Sequence, residues 1–156
     1  MQLSGEYTFS APPAEVWAMM LDPETLQACL PGCESLETVG EDEYDAIMTI
    51  GIGMIKGKYA GHVKISDKNE PDSFKMLVAG KGPQGQLSGE GLLKFAPNEN
   101  GGTLLTWSGD ANVRGVLARI GGRVIQPAAK TIVNKFFGQL DSRLVAAKTT
   151  TTTPTA

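Results

Sequence analysis

The sequence predicts an α+β domain: a curved antiparallel β-sheet of six to seven strands wrapped around a long C-terminal helix, with two short helices after the first strand. Three observations predict it. Up to about Val113, apolar side chains alternate with polar ones, the mark of strands with one dry and one wet face. Clusters of Gly, Pro and Asn cut that alternation into short runs, which suits consecutive hairpins. After Gly115 the apolar period lengthens to three or four residues, a helix with one apolar stripe.

The first strand sets Leu3, Gly5, Tyr7 and Phe9 against Ser4, Glu6 and Thr8. A short helix opens at Pro12-Pro13-Ala14, with Ser10 as candidate cap. A second starts at Asp22-Pro23-Glu24, where a capping Asp precedes a Pro whose fixed φ suits the first helical position, and Pro31-Gly32 ends it. From Glu43 to Ile55 one strand is read, with Tyr44, Ala46, Met48, Ile50, Ile52 and Met54 facing in. The next puts Tyr59, Gly61, Val63 and Ile65 inside and the single histidine, His62, on the polar face. Three more runs follow, with inward faces Phe74-Met76-Val78-Gly80, Leu87-Gly89-Gly91-Leu93-Phe95 and Leu105-Trp107-Gly109-Ala111-Val113.

The helical stripe reads Leu117, Ile120, Val124, Ala128, Ile132, Phe136, Leu140 and Leu144. Gly121-Gly122 and Pro127 interrupt it, so a bend is expected between Arg123 and Pro127. The domain is expected to fill residues 1–146. Residues 147–156, rich in Thr and with nothing to bury, are expected to be a disordered tail.

Charge is unevenly spread. Residues 1–113 hold seven Lys/Arg and sixteen Asp/Glu, whereas residues 114–156 hold seven Lys/Arg and only Asp141. The basic end suits an anionic membrane surface or an acidic partner, or else a basic helix lying on its own acidic sheet. Arg114, Arg119 and Arg123 beside Leu117 are the candidate contact residues. Cys29 and Cys33 are separated by three residues, which fits neither a redox pair nor the usual zinc spacing, and one histidine excludes a His-rich metal site. No metal, cofactor or nucleic-acid partner is expected. No apolar run reaches the roughly 18 residues a membrane span needs, and Met1 to Glu6 lack the features of a signal peptide, so a cytoplasmic chain is expected, at most peripheral to the membrane.

Inward glycines at 5, 61, 80, 89, 91 and 109 supply no filling volume. They permit the sheet to coil, and they also leave space beneath the helix. The expected lining is Tyr7, Met48, Ile50, Ile52 and Tyr59 from the first strands, then Met76, Val78, Leu93, Leu105 and Trp107. Ile120, Val124 and Ile132 complete it from the helix. That set offers no carboxylate, imidazole, amine or thiol for acid–base or nucleophilic chemistry, so a binder of a hydrophobic molecule is expected rather than an enzyme.

The stretch Cys29-Leu30-Pro31-Gly32-Cys33-Glu34-Ser35-Leu36 resembles the CoxG family of small subunits associated with molybdenum carbon monoxide dehydrogenases, within the START-like helix-grip superfamily. So do Gly51 to Tyr59, Gly101-Gly102-Thr103-Leu104-Leu105-Thr106-Trp107 and Gly115 to Ile125. The resemblance implies a helix-grip fold with an apolar cavity for a quinone or other lipid. It also implies a role in recruiting a molybdenum hydroxylase to the membrane. Two other readings stay open: a polyketide cyclase-like enzyme, for which Tyr7, Tyr59 and Trp107 are the inward polar handles, and a ligand-free docking protein.

Overall fold

The computed structural model describes residues 1–51 and 53–152, with backbone alone at Met54 and at 147–152. Strand β1 (Gln2–Phe9) leads into helices α1 (Pro13–Met20) and α2 (Pro23–Cys29), and six strands follow. These are β2 (Cys33–Gly40), β3 (Glu43–Ile50), β4 (Gly57–Asn69), β5 (Ser73–Gly82), β6 (Gly85–Pro97) and β7 (Thr103–Arg114). Helices α3 (Val116–Ile120) and α4 (Gly122–Thr152) close the chain. The strands form one antiparallel sheet in the order β1-β7-β6-β5-β4-β3-β2, a meander closed at one edge by the return of β1 onto β7.

Local chemistry explains most boundaries. Asp22 caps α2 by accepting from the Thr25 N–H at 3.2 Å and its hydroxyl at 2.6 Å. Ser10 does not cap α1. Its N–H and hydroxyl donate to Asp141 at 3.1 and 2.9 Å, tying the end of β1 to α4. The strand expected to run to Ile55 stops at Ile50, and Gly53, at φ +46°, opens a single 3-10 turn, Gly53–Ile55. Strand β2 is not expected from the sequence. Its pairing with β3 shifts register twice, between Cys33 and Ser35 and between Thr38 and Gly40, which erases the alternation.

The helical break falls at Gly121 (φ +86°), ahead of the expected bend, while Pro127 sits inside α4 on its exposed side. A glycine at positive φ ends a helix at little cost, and the proline near the start of α4 removes only one internal bond. Helix α4 continues through 147–152, where a disordered tail was expected. Residues 153–156 of that tail lie outside the described residues.

The core is polarised. Helix α4 packs on β1, α1 and α2. Under it Trp17 meets the edges of Phe74 and Phe95 at 5.3 and 5.6 Å, and Phe9 meets Phe137 at 5.7 Å. Val16, Leu105 and Leu140 are fully buried in the same cluster.

Candidate functional site

Away from that cluster the sheet's inner face is apolar but only half covered. Cross-strand register places Tyr44, Val63, Val78, Gly89 and Ala111 in one row, and Ala46, Gly61, Gly80, Leu87 and Val113 in the next. Met48 and Tyr59 lie opposite one another further toward the open end. Neither row carries Asp, Glu, Lys, Arg or His. Val63, Val78, Leu87, Val113, Met48 and Tyr59 all keep part of their surface accessible.

The inward glycines divide into two kinds. At Gly89 and Gly109 an added Cβ would stand 2.9 Å from the Asp110 carbonyl and 3.0 Å from that of Glu90, and at Gly5 it would meet the Trp107 indole at 2.8 Å. Close approach requires glycine there. At Gly61, Gly80 and Gly91 the atoms within 4 Å are backbone carbonyls of neighbouring strands alone, at 3.5 to 4.0 Å. No side chain among the described residues comes within 4 Å of such a Cβ at these three positions, so the inner face is open over the paired Gly61 and Gly80.

The polar groups bordering this space are few. The Trp107 Nε1–H, its ring against Gly5 and packed on the buried core rather than on the open patch, has no acceptor among the described residues. Tyr59 donates its hydroxyl to the Ile55 carbonyl at 2.7 Å while its ring lies on Gly82, and burial pushes its phenol above the ordinary value. The Tyr7 ring packs at a tilt against Phe9 at 4.8 Å and Phe137 at 5.5 Å. Burial and then the Asp141 charge raise its phenol. Cys29 and Cys33 are free thiols, both raised by burial.

Of the expected lining, Tyr7, Met48, Ile50, Tyr59, Met76, Val78, Trp107, Ile120 and Ile132 are half-buried. Leu93 and Leu105 belong to the solid core beneath α1 and α4. Val124 is 40% exposed and points away from the sheet, because the break at Gly121 resets the helical phase and brings Ile125 inward instead. Ile52 lies outside the described residues. Among the candidate contact residues Arg114, Arg119 and Arg123 are exposed, but Leu117, only 7% exposed, plugs α3 onto β6 and β7. Leu87 and Val113 line the same face beyond the expected set, whereas Val133 and Phe136 of α4 pack on the core cluster. Alternation already places Leu87 and Val113 inward.

His62 sits on the opposite, outer face. Its Nδ1 lies 2.6 Å from Asp45 and its Nε2 3.3 Å from Glu43, and the Asp45 hydrogen bond raises its pKa. Beside it a shallow groove of about 810 Å³ crosses the sheet, with Asp45, Lys81, Ser88, Asn112 and Arg114 on its walls. Its mixed charges contrast with the apolar inner face. Among the described residues no helix is long and apolar enough to cross a membrane.

Known proteins share this architecture. A conserved protein from Geobacillus kaustophilus has 35% sequence identity and a TM-score of 0.89, over 96% of this chain and 97% of that one. A START superfamily protein from Mycobacterium smegmatis shares the fold at TM-score 0.73 and 12% identity, over 94% and 98% of the two chains. Protein Ms6760 from the same organism shares it at 0.70 and 22%, over 94% and 92%. No curated protein matches. The family model for the carbon monoxide dehydrogenase subunit CoxG matches residues 5–145, which spans β1 to the last turns of α4. The chain is a START-like helix-grip domain and belongs to the CoxG family of carbon monoxide dehydrogenase subunits.

Proposed function

We propose that this domain binds an apolar small molecule, an isoprenoid quinone or another lipid, on the inner face of its sheet, as a carrier and not a catalyst. Its partner in this reading is a molybdenum hydroxylase of the carbon monoxide dehydrogenase type, which it recruits to the inner face of the membrane. The observation that carries the reading is the uncovered patch over the paired Gly61 and Gly80, walled by Val63, Val78, Leu87 and Met48. An apolar face of this kind, with few polar groups at its border, is what a hydrophobic ligand requires.

Binding is favoured over turnover by Tyr59, whose hydroxyl is already engaged by Ile55. Membership of the CoxG family supports the hydroxylase partner.

Native mass spectrometry of the intact protein from its own cells, paired with organic extraction, tests the proposal. The expected result is a bound mass released as a quinone or lipid. Empty protein that also fails to take up ubiquinone or menaquinone would overturn it.

A further inference from the structure

We propose that the outer face of the sheet is a self-complementary surface on which a second copy of this chain seats, about a two-fold axis that runs along the strands between β4 and β5. This seat leaves both inner faces uncovered and does not depend on the carrier reading.

Two rows of outward side chains form the groove beside His62. From β2 to β7, cross-strand register reads one row as Ser35, Ile47, Ala60, Lys81, Gln86 and Arg114, and the other as Glu37, Asp45, His62, Ala79, Ser88 and Asn112. Small, exposed side chains, those of Ala60, Ala79 and Ser88, occupy the middle. Charge divides between the two ends: Glu37 and Asp45 stand toward β2, Lys81 and Arg114 toward β7. Elsewhere on the sheet Lys58, Lys64 and Lys75 each reach a carboxylate of the same chain, whereas Glu37, Lys81 and Arg114 have no ion-pair partner among the described residues.

A two-fold parallel to the strands lays β2 on the partner's β7, β3 on its β6 and β4 on its β5. Ala60 then faces the partner's Lys81 and Ala79 the partner's His62, a small side chain against a large one each time. Ser88 faces the partner's Asp45, and Asn112 the partner's Glu37, which sets a hydroxyl and an amide donor against carboxylates. Arg114 comes down one residue pair from the partner's Glu37, within reach of its carboxylate. Each contact occurs twice, because the interface is isologous. Charge selects this axis over a two-fold perpendicular to the strands, which would bring Glu37, Asp45 and Arg114 close to their own copies, and like charges in opposition destabilise. The patch spans five interstrand steps of about 4.8 Å, roughly 24 Å, and little more than two residue rows in the other direction. That is small against the roughly 800 Å² per partner of a standard interface, so the dimer is weak and reversible.

Sedimentation equilibrium of the whole protein over a concentration series tests the proposal. The expected result is a monomer–dimer equilibrium that stops at the dimer and weakens with salt. Glu37→Arg or Arg114→Glu alone should weaken dimerisation about tenfold, since each reversal sets like charges together twice, and the double variant should restore it. Ser88→Glu, which brings a carboxylate onto the partner's Asp45, should weaken it too, while Lys130→Glu on α4 should leave it unchanged. Protein that stays monomeric at millimolar concentration, association that runs on past the dimer, or a double variant that dimerises no better than the single ones would overturn the proposal.

Discussion

Leu105, with none of its surface exposed, stands between Tyr7 and Phe95 on the neighbouring strands. Truncation to Ala leaves a void that three aromatic-rich elements have no means to close, so Leu105→Ala should cost about 2–5 kcal/mol in urea unfolding. Val124→Ala, from the same apolar pattern but on the surface, should stay within about 0.5 kcal/mol. Equal effects at the two positions would contradict the placement of the core. Gly32 carries a different burden. At φ +72° its missing Cβ would run into the Thr49 carbonyl, and its own carbonyl accepts from the Thr49 N–H at 2.8 Å. Gly32→Ala should therefore destabilise by more than about 1 kcal/mol, which the same unfolding measurement reads. This accounts for the Pro31-Gly32-Cys33 element: it anchors the end of α2 to β3.

The β3–β4 ladder shows how far an element can be read from its sequence. Asp45 pairs with His62 and Glu43 with Lys64 on the outer face, so the histidine is gripped by two carboxylates. The pKa of His62 is raised above its ordinary 6.5, first by the hydrogen bond to Asp45, so folding favours its protonated form. Its contribution to stability is then fully present below pH 6.5 and is lost as the pH rises through the raised folded value. Urea midpoints measured below 6.5 and well above it should differ more in the parent than in His62→Gln. An identical pH dependence in the two proteins would exclude this role. The polar face of β4 was legible because strict alternation runs through it. Strand β2 was not, since bulges at both ends break the period, and the lining by α4 was displaced by one residue because a glycine at positive φ restarts the helical phase. Depth was hidden too. Alternation assigns Leu93 and Met48 to the same side, but only the tertiary placement of α1, α2 and α4 decides which of them is covered.

Across the whole molecule, one half of the space between sheet and helix is filled by interlocked rings and the other is left open. Phe9, Trp17, Phe74, Phe95 and Phe137 fix the end under α1 and α4, while the end under α3 has the small residues and the half-covered apolar ones. Such a division serves a carrier, since the packed half supplies stability that the binding half then need not supply. Amide exchange should follow it. In ligand-free protein, α3 and the β4–β5 residues 57–63 and 77–82 should exchange through local opening, whereas β1, β7 and the middle of α4 should exchange only on global unfolding. A bound quinone should slow exchange in the first group selectively. At a ligand concentration about a hundred times Kd it should also raise global stability by roughly 2.7 kcal/mol, read as a higher melting temperature. Uniform protection along the chain, or protection confined to the outer groove around His62, would place the ligand elsewhere and remove the reason for the open half of the domain.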